Sequence, residues 1–292
     1  MSIFIQLLIN GVIAGAIYAL VASGFSLIYS TNKFVHFAHG GVISLSAYIL
    51  YLLFSKFGIN FYLAAFLTII FSIFLGYIIN EIIYTPLRKR KASSSVMLVA
   101  SLGVLILIES LNLLIFGADL KKNQFIAIRQ GINIFGASIT PLQIFIILFS
   151  ILLFVGLYIF MKRSRLGRAM RAVADNKDIA EVVGISSVKI YRWSFIIGSG
   201  IAGIAAILIS LEQNLQPTMG TNLIIKGFTG AVIGGIGSVP GAVLGSLILG
   251  LTENIGAFFL LSEYKDAIAF ILLFLFLLLR PQGIWGVKNT RK

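Results

Sequence analysis

Cysteine is absent from all 292 residues, which excludes disulfides, thiolate metal sites and a cysteine nucleophile. Charge is scarce too: Asp, Glu, Lys and Arg make up 11% of the chain, against about 25% in a soluble domain. Histidine occurs only as His36 and His39. That pair falls short of the three ligands of a catalytic zinc site or the four of a structural one, so no metal site is expected. No G-x-x-x-x-G-K-[ST] loop occurs, so any ATP must be bound elsewhere. A membrane-embedded enzyme would need a convergent acid, base or metal constellation, and two neighbouring histidines with scattered glutamates do not form one. What the chain has in excess is hydrocarbon, with 59% of residues apolar. Lipid is therefore its solvent, and an all-α polytopic membrane protein is expected, a single domain over residues 1–292. The N-terminus lacks a basic n-region and stays uncharged to Asn32, a length that favours a retained span over a cleaved signal peptide.

The net charge of +13 is distributed unevenly. Of 23 basic residues, four lie at 88–91, eight at 162–192 and four at 280–292, all between or after the apolar stretches. This is the positive-inside pattern of cytoplasmic loops, favoured over a nucleic-acid or headgroup site, and no nucleic-acid partner is expected. Apolar stretches fall at 3–30, 34–54, 59–84, 94–116, 142–161, 193–211, 223–239, 242–261 and 267–279. About 20 residues are needed to cross a bilayer as helix, so the seventh and ninth are short. Placing 88–91 inside puts the N-terminus outside, the insert at 162–192 inside, and the loop 117–140 with Asp119, Lys121, Lys122 and Arg129 outside. The basic tail reaches the cytoplasm only after about nine crossings.

Two segments read as discontinuous helices, residues 33–41 and residues 227–241. The second carries six glycines and a proline. Irregular backbone at membrane depth survives only beside protein or a water-filled cavity, and Gly-interrupted spans point to a transport pathway. On that reading Phe37, His39, Gly40, Gly230, Gly234 and Gly235 are pathway candidates. Close packing through small-xxx-small faces, Gly230/Gly234 and Gly241/Gly245, explains the same glycines. His36 is expected to be solvated near an interface, and His39 to pin the helix break by a hydrogen bond. Glu109 and Glu253 sit inside spans, where an acid costs about 3 kcal/mol. Glu109 could meet a substrate ammonium group or a neighbouring helix, with the helix favoured. Glu81 has Arg88 or Arg90 as a nearby partner, and Glu212 falls at the outer interface.

The polar insert 162–192 is the most distinctive stretch. Ala172, Asn176, Ala180 and Gly184 recur every fourth residue, which on a continuous helix forms one slowly turning ridge of small groups. Ile179, Val182 and Val183 form an apolar cluster beside it. A lipid-bound amphipathic helix wants basic residues on its polar face; Asp175, Asp178 and Glu181 oppose anionic headgroups, so protein docking is favoured.

In order along the chain stand Phe37-Ala38-His39-Gly40 with Ala47-Tyr48, then Tyr84-Thr85-Pro86-Leu87-Arg88, then Gly167-Arg168-Ala169-Met170-Arg171-Ala172 with Ala180 and Gly184-Ile185. Further on come 226–238 (KGFTGAVIGGIGS) and 280–286 (RPQGIWG). This ordered set resembles the LivH-type permease of branched-chain amino acid importers of the ATP-binding-cassette kind, with His36, Gly41 and Thr85 departing from the family's usual Asn, Glu and Arg. The resemblance implies a second homologous permease, two cytoplasmic ATPases that bind ATP and Mg²⁺, an external solute-binding protein, and residence in the bacterial or archaeal cytoplasmic membrane. It implies that residues 172–184 form the coupling helix, with Arg171, Ala172, Asn176, Ala180, Gly184 and Ile185 at the ATPase contact, and that this chain is no enzyme and holds no cofactor. Relatives carry branched-chain amino acids, other small amino acids, urea or amides. An ion-coupled secondary transporter working through Glu109 or Glu253 would share the broken helices, but not the basic insert with its small-residue ridge.

Overall fold

The computed structural model describes residues 2–123, 131–134, 136–260 and 264–285; Arg129 of the loop and Gly286, Lys288, Arg291 and Lys292 of the tail lie outside the described residues. The elements are α1 (Ser2–Asn32), α2 (Ala38–Leu50), α3 (Phe61–Ile79), α4 (Thr85–Lys89), α5 (Ser94–Phe116), β1 (Ile132–Ile134), β2 (Ala137–Ile139) and α6 (Pro141–Arg163). There follow α7 (Arg165–Asp175), α8 (Lys177–Val182), α9 (Ser187–Glu212), α10 (Met219–Gly234), α11 (Val239–Phe259) and α12 (Lys265–Leu279). Wide π turns extend α2 through Tyr51–Lys56 and join α3 to α4 through Asn80–Tyr84. Side chains mark several starts: Asn60, Ser93, Ser164, Asn176, Ser186 and Ser238 each accept a backbone N–H from the first turn that follows, satisfying donors the helix itself cannot.

The all-α expectation holds. Among the described residues, seven helices are long and apolar enough to cross a membrane. α10 and α12, with 16 and 15 residues, fall short; they are the seventh and ninth stretches that the sequence marks as short. The loop 117–140 contains an antiparallel ribbon, with Asn133 opposite Ser138, which apolar periodicity did not foretell.

The chain resolves into two compact units. Unit 1 comprises Met1–Ser26, Ile126–Gly156 and Ile225–Lys292. Here α1 lies against α11 so closely that a Cβ on Gly15 would stand 2.9 Å from Leu247 Cα, and one on Gly250 would stand 2.4 Å from Gly15 N. Small residues allow such contact where lipid supplies no hydrophobic drive between helices. The expected discontinuity near 227–241 is present: residues 227–234 form regular helix and the break is confined to residues 235–238. The tail turns back there, and the N–H groups of Ile284 and Trp285 donate to the carbonyls of Ile233 and Gly234 at 2.9 Å each. The RPQGIW motif thus caps the otherwise unpaired carboxyl end of α10.

Unit 2 comprises Leu27–Phe125 and Leu157–Ile224. α2 packs against α3, α5 and α9. Ser72 Oγ donates to the Ser199 carbonyl at 2.5 Å, and Gly76 and Gly203 admit the same close approach of α3 and α9.

Candidate functional site

The insert departs from a single helix. Asn176 has φ −151° and ψ 110°, and its side-chain oxygen accepts the N–H groups of Asp178 and Ile179. It therefore ends α7 and begins α8, so the four-residue ridge does not run along one surface. Ala172 and Asn176 are half-buried, Ala180 is only 2% exposed, and Gly184 is exposed with φ +87°. The face turned outward belongs to the apolar cluster: Ile179 is 63%, Val182 86% and Val183 68% exposed. Spacing counts positions along a helix; it does not reveal that an asparagine interrupts the backbone.

Both ends of this element are braced. Arg168 Nη1 donates to the Arg163 carbonyl at 2.9 Å and Arg171 Nη2 to the Lys162 carbonyl at 3.3 Å. Two guanidinium groups thus sit on the carboxyl end of α6, where cations are favoured. A Cβ at Gly167 would stand 2.4 Å from the Phe160 carbonyl oxygen, which fixes the α6–α7 corner. Beyond α8, Ile185 N–H donates to the Ala180 carbonyl at 2.9 Å, and the Ser187 hydroxyl donates to the Glu181 carboxylate. α7 is thus tied to the end of α6, and α8 to the start of α9.

The turn between α1 and α2 forms a second cluster. Phe37 N–H donates to Ser101 Oγ at 3.2 Å, and that hydroxyl donates to the Leu98 carbonyl at 2.7 Å. Ser101, buried in α5, helps to pin the helix break. His39 is fully buried. The expectation of a solvated His36 is overturned: it is 1% exposed, and its Nδ1 shares a hydrogen bond of 2.9 Å with the Tyr84 hydroxyl. Beside it Arg88 Nη2 donates to Asn32 Oδ1 at 3.0 Å and Asn80 Oδ1 at 2.7 Å, with its guanidinium carbon 4.7 Å from the Tyr191 ring centroid. Asn32 Nδ2 in turn donates to Ser194 Oγ at 2.9 Å. Arg88 so links the end of α1, the π turn after α3 and the start of α9. Glu81 pairs with neither Arg88 nor Arg90; Arg192 contacts both its oxygens at 3.0 and 3.2 Å. The partner lies 111 residues away, beyond the reach of sequence proximity. Arg88→Lys keeps the charge but loses the planar fork. It should lower the melting temperature in detergent and reduce transport, and Arg88→Ala should cost about 2–3 kcal/mol of stability, read from thermal unfolding curves.

At the other end of α5, a cavity of about 460 Å³ lies between α5, residues 118–120 and residues 216–218. Reciprocal backbone bonds between Lys121 and Leu215, at 3.1 and 2.7 Å, tie its rim. Glu109 lines it, and the Glu109 oxygens accept Thr221 N–H at 2.8 Å and the Thr221 hydroxyl at 2.9 Å. The favoured reading of Glu109, a bond to a neighbouring helix, is what the geometry shows: the carboxylate caps the first turn of α10. Gly40 meets the same turn, where a Cβ would stand 2.3 Å from the Gly220 carbonyl oxygen.

In unit 1, Glu253 is 0% exposed and is held by Lys226 Nζ at 2.9 Å and the Tyr18 hydroxyl at 2.8 Å. Lys226 also reaches Asp266 at 2.8 Å. The sequence flagged the cost of Glu253 without finding its partners, Lys226 on α10 and Tyr18 on α1. Gly230, Gly234 and Gly235 pack on backbone: a Cβ on Gly234 would stand 1.8 Å from the Gly241 carbonyl oxygen, Gly230 faces Ser246, and Gly235 receives Gly283. These glycines sit at close backbone contacts.

Comparison with known proteins agrees with this architecture. The family model described as "Branched-chain amino acid transport system / permease component" matches residues 7–277. The high-affinity branched-chain amino acid transport system permease protein BraD of Pseudomonas aeruginosa is 37% identical over 99% of this chain and 98% of its own length. LivH of Salmonella typhimurium, described in the same words, is 34% identical over 99% and 97%. The probable branched-chain amino acid transport permease protein LivH of Methanocaldococcus jannaschii is 30% identical over 97% and 92%. The solved structure of PsaBC from Streptococcus pneumoniae in complex with Fab shares the fold, with a TM-score of 0.52 at 15% identity over 94% of this chain and 92% of that one. With apolar helices throughout and a family match across nearly its whole length, this multi-pass membrane chain belongs to the family of branched-chain amino acid transport system permease components.

Proposed function

We propose that the chain is the permease subunit of an ATP-driven, binding-protein-dependent importer of branched-chain amino acids or related small amino acids and amides. The observation that carries this reading is end-to-end similarity, at 34–37% identity, to relatives named as high-affinity branched-chain amino acid permeases. In this reading a second homologous permease completes the pathway, an extracytoplasmic protein delivers solute, and two ATPases supply energy. The chain lies in the cytoplasmic membrane with its N-terminus outside and C-terminus inside, after about nine crossings. The basic residues of the insert support that orientation.

The ATPase contact is the outward face of α8, with Ile179, Val182 and Val183 as its apolar centre. Arg171, Ala172, Asn176, Ala180, Gly184 and Ile185 shape and brace that face. Closure of the ATPases displaces α8; the Arg168 and Arg171 bonds to α6 and the Ser187–Glu181 bond to α9 carry the displacement into the spans. Solute is driven only if the two resulting states bind it differently.

The test is uptake into sealed proteoliposomes by the complex purified with its companions. Leucine, isoleucine or valine accumulation should need ATP and the binding protein, and should persist when proton and sodium gradients are collapsed. Uptake by this chain alone, driven by an ion gradient, would overturn the reading.

A further inference from the structure

We infer that the cavity beside Glu109 is a subsite for a primary ammonium group borne on a short aliphatic body; resting on the function proposed above, this is the amine end of the transported amino acid.

The cavity, at about 460 Å³, falls within the range of small-molecule sites, about 300–1,000 Å³. Ile106, Leu113 and Leu120 give it hydrocarbon walls, while Glu109, Gln216 and Thr218 bring polar groups to the same space. No lysine or arginine lines it among the described residues. The only formal charge on its wall is negative, and the complementary ligand is a cation with an apolar portion.

Capping α10 does not account for that charge. A neutral amide oxygen at position 109 could accept the Thr221 N–H, and its amide nitrogen could donate to the Thr221 hydroxyl. A carboxylate near a helix N-terminus gains about 0.3–1 kcal/mol, less than the roughly 3 kcal/mol that an acid costs within a span. Glu109 lies seven residues before Phe116, where α5 ends, or about 10 Å along the helix, so it sits well inside the apolar segment. An ionised carboxylate has about four acceptor positions; Thr221 occupies two. The remainder can bind an ammonium group, which has three donors. In the orientation proposed, residues 117–140 face outside, so this subsite is the first that solute meets on leaving the binding protein.

The test uses the purified permease with its companion subunits, without the binding protein. Saturation-transfer NMR reads binding of leucine, 3-methylbutylamine (leucine without its carboxylate) and 4-methylpentanoate (leucine without its amine). Leucine and the amine should bind, and the acid should bind at least about tenfold more weakly. Glu109→Gln should weaken leucine and the amine about tenfold and erase the preference over the acid. Glu109→Asp should restore part of that preference, which a purely structural cap would not do. Asp119→Asn, removing an exposed carboxylate outside the cavity, should change nothing. Equal binding of amine and acid to the unaltered protein overturns the inference, as does an unchanged preference in Glu109→Gln. If Glu109→Gln fails to fold, the comparison of amine with acid on the unaltered protein decides alone. Loss of ATP-driven uptake with amine binding intact would strike the proposed function and spare the subsite. Full uptake by Glu109→Gln would do the reverse.

Discussion

Replacing Val182 and Val183 together by aspartate should abolish ATP-dependent uptake while leaving the chain inserted and folded. These side chains are 86% and 68% exposed, so their replacement chiefly disturbs what binds from outside. A partner that buries this face must desolvate two carboxylates that find no counter-charge, at a cost of several kcal/mol. Affinity of a few such apolar centres commonly dominates an interface. Recovery of the ATPases on purification should therefore fall at least about tenfold, and binding-protein stimulation of ATP turnover should vanish. Ala180→Asp makes the instructive contrast. Ala180 is buried, and a charge there should loosen the α8–α9 corner itself, which limited proteolysis of the insert would detect.

The second large effect concerns the buried ion pair. Lys226→Ala leaves the fully buried Glu253 carboxylate with the Tyr18 hydroxyl as its one remaining hydrogen-bond partner among the described residues. Removing one partner of a buried pair costs about 3–5 kcal/mol, a large fraction of a domain's net stability. Thermal unfolding in detergent should show that loss, and Lys226→Met with Glu253→Gln should recover most of it. Asp266→Asn should cost less than about 1 kcal/mol, since the Asp266 side chain is 67% exposed and solvent screens the pair. If the double variant is no more stable than Lys226→Ala, the lysine is not there to neutralise Glu253.

Composition and apolar stretches sufficed for the fold class, because a chain with so few charges has few alternatives to spanning lipid. They also singled out the seventh and ninth stretches as short, and α10 and α12 are the helices that fall short. The glycines of 227–241 were readable as packing residues from their four-residue spacing. Glu109 and Glu253 were readable as acids that need partners. The partners themselves were not: Thr221, Lys226, Tyr18 and Arg192 stand far off in sequence or on other helices, and only the folded packing joins them. The ridge of the insert misled for a different reason. Four-residue spacing assumes one continuous helix, whereas Asn176 turns its side chain to the backbone and starts a new one. Asparagine as an N-cap two residues before an acid, Asp178, was the available signal. The burial of His36 followed from Tyr84 and Phe195 closing over it, a tertiary event that its place in the chain did not announce.

The most direct test of the central claim, that a separate ATPase grips the outward face of α8, uses the absence of native cysteine. Val182→Cys places the chain's sole thiol on that face, and a short bis-maleimide can report what lies within reach of it in native membranes. A cross-link from position 182 to the ATPase subunit, with none from Lys91→Cys in the basic stretch 88–91, is the predicted result. A cross-link from position 91 with none from position 182 would contradict it.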